Sequence, residues 1–206
     1  MTGLLLIMGL ALGGATEDLV LAANQRASEA ERMAAFERLV VLGNTDMALV
    51  SSVSVDDDAD TRQRWVAIRT AAATAMGDFG HKDFVEPLNT ALSDAAVLVR
   101  AAAAKSVGQI GDARSVKPLS DAVNHRRSYF RGRSLWVRRH YVEALGALGS
   151  KDAFPVLLRT IDDPDKEVAK AVIDALEQVA GFDFEKGRTA EQEKEAWRRY
   201  VSQQLR

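Results

Sequence analysis

Two stretches of the chain, "IRTAAATAMGDFGHKDFVEPLNTAL" from Ile68 and "VRAAAAKSVGQIGDARSVKPLSDAV" from Val99, align without a gap. Arg69 falls on Arg100, Gly77 on Gly108, Gly80 on Gly111, Pro87 on Pro118 and Leu88 on Leu119, all at an offset of 31 residues. A third copy, "VRRHYVEALGALGSKDAFPVLLRTI" from Val137, sets Arg138, Gly146 and Gly149 at an offset of 38 from the second, so seven extra residues lie between these two. A fourth, "VAKAVIDALEQVAG" from Val168, returns to 31 with Ala175 and Leu176 under Ala144 and Leu145. A weaker copy before them all sets Gly43 and Asp46 under Gly80 and Asp83, which makes five units. A period of this size governs the whole fold, because one repeat unit cannot bury its apolar face alone and must stack on the next.

Each unit reads as two helices. Val99, Ala103, Val107 and Ile110 follow one helical face, Gly111 stops the helix, and Val116, Leu119 and Val123 start a second. Val137, Tyr141, Leu145 and Leu148, then Phe154, Leu157 and Ile161, repeat the pattern. Pro87, Pro118 and Pro155 fall near the start of the second helix, where amide hydrogens lack an intrahelical acceptor and proline costs little. The glycines are assigned to the hairpin turns. In "DDPDKEV", Asp163 is the expected N-cap and Pro164 the first helical residue. Scarce aromatics, 6% of the chain, fit closely packed helices better than a β-sandwich.

The repeated pattern of Arg, Ala, Gly, Pro and Leu in register resembles HEAT repeats, in particular the short kind first noted in phycobilisome lyases. The resemblance covers about residues 28 to 180. It implies an all-α fold, an α-α superhelix of about five helical hairpins, that binds macromolecules and carries no particular chemistry. On this reading residues 16–181 form the solenoid, with repeats near 28–56, 60–92, 93–123, 134–161 and 163–181. Residues 182–206 form a C-terminal cap, in which Trp197, Val201 and Leu205 cover the last hairpin while the glutamates face water.

At the other end, the apolar run Leu4 to Leu12, followed by small residues and a first charge at Glu17, is similar to the hydrophobic region and cleavage zone of a secretory signal. Residues 1–15 are then a signal peptide, although no positive charge precedes the run, and the protein is exported to the periplasm or beyond. The other reading makes the run a buried first helix of a cytoplasmic protein. The run is too short to span a bilayer, which needs about 20 residues, and no later segment is a candidate.

Arg69, Arg100 and Arg138 form a column through consecutive repeats, with Arg32 below them. Either they make a binding stripe or each pairs with a carboxylate or carbonyl at the turn, with Asp94 and Asp163 as candidates; the packing reading is preferred because repeat signatures mostly encode stacking. The seven-residue insertion is different, because stacking does not require it. "NHRRSYFRGRSLWVRRHY", Asn124 to Tyr141, holds six arginines, two histidines and four aromatics without one carboxylate, in a chain of net charge -2. Arginine forks bind phosphate or carboxylate and stack on aromatics, so Arg126, Arg127, Tyr129, Arg131, Arg133 and Arg139 are the candidate partner-binding residues. The competing reading is a solvated loop. Trp136 fits either an interface or the core.

The opposite run, "DDDAD" at Asp56 to Asp60, has no glycine turn or later glutamate to make a calcium loop, and capping and solubility explain it. No cysteine is present, and none of the three histidines belongs to a His-Glu pair, so no cofactor, metal or catalytic residue is expected. Charge outside the loop is balanced, which argues against a nucleic-acid binder. The leading expectation is a non-enzymatic scaffold for a protein partner, with an acidic segment among the ligands the loop could hold. The alternatives are a bilin lyase-like or accessory enzyme subunit and a weak nucleic-acid binder.

Overall fold

The computed structural model of the protein describes residues 59–184 and 188–205, together with Ser28, Glu31 and Ala34. The apolar run Leu4 to Leu12 with the signal-peptide reading of residues 1–15, the first repeat with Arg32, Gly43 and Asp46, and Asp56 to Asp58 lie outside the described residues.

Eight α-helices are described: α1 (Ala59–Phe79), α2 (Val85–Ala91), α3 (Val97–Ile110), α4 (Val116–Val123), α5 (Val137–Leu148), α6 (Phe154–Thr160), α7 (Lys166–Ala180) and α8 (Ala190–Gln204). The hairpins stack side by side as an α-helical solenoid. The long helices α1, α3, α5 and α7 lie side by side as one layer, and the short helices α2, α4 and α6 fold back on their own or the next long helix as a second. Helices of seven or eight residues are marginal in isolation. Leu88, Leu119 and Leu157, one per hairpin at matching positions, are each wholly buried, and burial of each contributes about 2 kcal/mol. The apolar faces read from the repeat form the core: Val99, Ala103, Val107, Val116, Leu119, Val123, Val137, Tyr141, Leu145, Phe154, Leu157 and Ile161 are all buried, while Ile110 and Leu148, the last residues of their helices, are partly buried and pack against it.

Each hairpin turns in the same way. Gly80, Gly111 and Gly149 close the long helices with φ of 74°, 71° and 62°, a left-handed conformation that side chains resist. A 3-10 turn follows, capped from its first position by His81, Asp112 or Ser150, whose side chain accepts the N–H two residues on. The other glycine of each pair does not belong to a turn. Gly77, Gly108 and Gly146 sit inside α1, α3 and α5, where the neighbouring long helix crosses closely. A Cβ on Gly146 would lie 2.8 Å from Ala175 Cα, and one on Gly77 would collide with Ser106. The small residue is therefore required by helix contact and not by the hairpin turn.

The cap at the C-terminal end is α8. Thr189 accepts from Gln192 N–H while the Gln192 side chain accepts from Thr189 N–H, a reciprocal cap that starts the helix. Trp197 and Val201 are fully buried, as expected, but Leu205 is 53% exposed because it lies just past the last helical residue. An unforeseen aromatic cluster completes the cap: Phe184 and Phe182 pack against Trp197 with centroids 4.7 and 5.6 Å apart, and Phe154 meets Tyr200 at 6.1 Å.

Gly146→Ala is expected to lower the unfolding free energy by about 1–3 kcal/mol through overpacking against α7, less whatever alanine returns in helix propensity. Gly108→Ala, whose Cβ would meet its nearest atom at 3.3 Å, should cost less; urea titration of both variants checks the order.

Candidate functional site

The arginine column is internal to the stack. Arg69 donates from Nε and Nη2 to the two carboxylate oxygens of Asp94 at 2.8 and 3.1 Å. Arg138, 1% exposed in its side chain, donates from Nη2 to Asp163 Oδ2 and from Nε to the Val123 carbonyl at 2.9 Å. Each aspartate uses its Oδ1 as well, accepting the N–H two residues on, from Ala96 at 2.7 Å and from Asp165 at 3.0 Å. One carboxylate thus closes the turn between hairpins and neutralises the buried guanidinium. The packing reading of Arg69 and Arg138 holds. Asp163 is not the N-cap of α7, and Pro164 is not its first residue. The cap is Asp165, which accepts from Glu167 N–H, because Asp163 is committed to Arg138.

Arg100 has no such partner among the described residues. The residue that follows it at the spacing of Asp94 after Arg69 and of Asp163 after Arg138 is His125. His125 closes its turn in the aspartate manner, Nδ1 accepting from Arg127 N–H at 3.2 Å, but it brings no negative charge. Arg100, 4% exposed, turns instead to carbonyls: Nη1 donates to Asp94 and Ala95 at 2.7 and 3.0 Å, and Nη2 to Arg127 at 3.0 Å. Its Nε is buried without a hydrogen-bond partner among the described residues. A cleft of about 270 Å³ opens at this guanidinium, lined among others by Asn89, Asp121, His125, Arg127 and Tyr141. Burial pushes the Tyr141 phenol above its ordinary pKa, against the lowering effect of the Arg100 charge and of hydrogen bonding with Arg100 and Ser128. Comparing the position 25 residues after each column arginine in the sequence would have exposed this irregularity.

The insertion is folded. After a 3-10 turn at Arg126–Ser128, β1 (Tyr129–Phe130) pairs antiparallel with β2 (Arg133–Ser134), in register Tyr129 with Ser134 and Phe130 with Arg133. Arg131 and Gly132 make the two-residue turn with φ of 51° and 76°, positive at both positions as a type I′ turn requires. The candidate residues divide into two groups. Arg127 donates to the Ser93 carbonyl at 2.9 Å, Arg139 pairs with Glu143 at 3.2 Å, and the Tyr129 ring lies under the Arg138 guanidinium at 4.5 Å. These three side chains are engaged with the solenoid. Arg126, Arg131 and Arg133 are exposed and their side chains have no hydrogen-bond or ion-pair partner among the described residues. Phe130 and Trp136 are 63% and 48% exposed, with Arg131 stacked on the Phe130 ring at 5.3 Å and Trp136 meeting His140 edge-on at 5.3 Å. Trp136 is therefore a surface residue. The remaining histidine, His140, contacts Glu143 at 2.9 Å, and no group able to hold a metal ion occurs among the described residues. No helix among them is long and apolar enough to cross a membrane.

The sequence matches the family model for HEAT repeats over residues 57–136 and 130–186. Among solved structures, it is similar to the complex of CpcE and CpcF of phycocyanin lyase from Nostoc sp. PCC7120, with 19% identity and a TM-score of 0.50 over 81% of this chain. The match spans 65% of that lyase chain. An engineered protein is similar at 17% identity and a TM-score of 0.40, covering 81% of this chain and 79% of that one. No curated protein matches the sequence.

Asp163→Ala leaves the Arg138 guanidinium buried without its counter-charge and is expected to destabilise the fold by about 3–5 kcal/mol. Asp94→Ala should cost less, because Arg69 is 16% exposed and water can reach it. Chemical denaturation of the two variants measures the difference.

Proposed function

The chain belongs to the HEAT-repeat family, and on that premise we propose that it is a non-enzymatic scaffold that binds a protein partner through the face carrying the inserted hairpin. One observation carries this reading: the insertion exposes Arg126, Arg131, Arg133, Phe130 and Trp136, and the three arginines have no hydrogen-bond or ion-pair partner among the described residues, whereas the other insertion-region arginines are tied down. Exposed aromatics beside arginine are the residue types that anchor interfaces. Arg131 adds a second argument. Its left-handed position in a type I′ turn favours Asn, Asp or Gly, so an arginine there strains the backbone, which a functional side chain would explain. The concentration of positive charge favours a partner with an acidic surface, steered by charge and held by the aromatic contacts. One solved structure that is similar in fold is a complex, of CpcE and CpcF, which is in keeping with a protein as the ligand.

The test is affinity capture from the native host with the intact protein and with the Arg126→Gln, Arg131→Gln, Arg133→Gln triple variant, which leaves Arg127, Arg138 and Arg139 in place. The expected result is one partner lost with the variant, weakened for the intact protein as salt is raised, and equal melting of both proteins. Recovery of the same proteins by both forms sinks the proposal and moves the search to the helix faces.

A further inference from the structure

We propose that the cleft at Arg100 is a carboxylate-binding site, in which a ligand supplies the acidic group that Asp94 and Asp163 supply to the neighbouring arginines. The argument begins with the repeat. Three arginines occupy one position in α1, α3 and α5, and two of them are neutralised by an aspartate at one position in the following turn. At the third, His125 keeps the backbone cap and lacks the carboxylate. Arg100, at 4% exposure, is nearly as buried as Arg138 and more buried than Arg69, yet among the described residues it faces backbone carbonyls and the Tyr141 phenol rather than a carboxylate, and its Nε has no acceptor. A buried guanidinium without a counter-ion is costly, so an acid that enters the cleft gains both a hydrogen bond and a charge pair out of reach of bulk water.

The surroundings set the ligand class. The cleft, about 270 Å³, is lined by Arg127 and His125 as well as Arg100, and Arg127 is fixed there by its bond to the Ser93 carbonyl. Asp121 also lines it, paired with Lys117 at 2.8 Å. That second carboxylate disfavours a doubly charged phosphate more than a single carboxylate. Asn89 Oδ1, also in the lining, is buried without a partner and offers an acceptor to an N–H beside the acid. On the scaffold reading, on which the biological source rests, the acid is an aspartate or glutamate side chain of the partner; a free dicarboxylate offers the same chemistry.

The probes are glutarate and a capped oligoglutamate peptide, with capped oligoglutamine and chloride as controls, titrated at physiological salt while the NMR resonance of the Arg100 Nε–H is followed. The expected result is a saturable shift with a carboxylate probe and none with oligoglutamine or chloride. Saturation by the peptide alone supports a side chain as the source, and saturation by glutarate alone supports a free acid. His125→Asp restores the repeat's own carboxylate at an exposed position, so it should melt higher than the wild type and weaken probe binding by about tenfold or more through intramolecular competition. An unshifted Arg100 resonance, an equal response to chloride, or unchanged binding in His125→Asp overturns the site. Those outcomes with hairpin-dependent partner capture intact would remove the carboxylate site and leave the scaffold standing; the reverse pattern would leave the site with a free acid as its ligand.

Discussion

The contact on which the stack depends is the arginine of α1, α3 and α5 reaching into the turn that ends its own hairpin. A guanidinium between packed helices loses several kcal/mol of hydration, and only a full set of acceptors offsets that loss. Arg69 and Arg138 obtain a carboxylate, and Arg138 takes a carbonyl from the hairpin before it as well. Arg100 takes carbonyls from the turns on both sides. These contacts act between sequence neighbours, as expected for a solenoid whose stability is a chain of nearest-neighbour terms. They also fix register: a hairpin displaced by one helical position would bury the charge with nothing to receive it. The glycines inside α1, α3 and α5 let the long helices of neighbouring hairpins approach closely.

The insertion changes this scheme at one place and in two ways. It adds a hairpin that the stack does not need, and it accompanies a turn in which the repeated aspartate is replaced by histidine. The first effect puts unpaired arginines and two aromatics on the surface. The second leaves a buried cation with incomplete partners beside a cleft. Both features follow the same turn after α4, so the surface proposed to grip a partner and the cleft proposed to receive an acid are adjacent along the chain. Arg127 belongs to the cleft, since its carbonyl accepts from Arg100 while its own guanidinium donates to the Ser93 carbonyl.

Much of this was legible in advance. The period of 31, the apolar faces, the closing role of Gly111 and the pairing of the arginine column inside the stack all reappear in the structure, because each is a local or nearest-neighbour requirement and the repeat states it several times over. Three expectations failed for reasons that lie between elements. Asp163 reads as an N-cap in its own segment, but the long-range pull of Arg138 leaves that task to Asp165. Gly146 reads as part of a turn, but it is the backbone of α7 that excludes a side chain there. Leu205 continues the apolar spacing of α8, yet the helix ends before it.

By itself the sequence determined an all-helical stack of hairpins, since the arginine, glycine, proline and leucine positions recur in register and no single hairpin could bury its own face. It also singled out the insertion as the departure from that order. Only the tertiary structure decided which of the inserted arginines are free. Arg126, Arg131 and Arg133 face solvent, whereas Arg127 and Arg139 meet Ser93 and Glu143. It alone showed Arg100 buried beside a cleft with one nitrogen unpaired. The physical reason is that a side chain's identity sets its charge and donors, while the partners available to it are set by residues brought near from other turns of the stack.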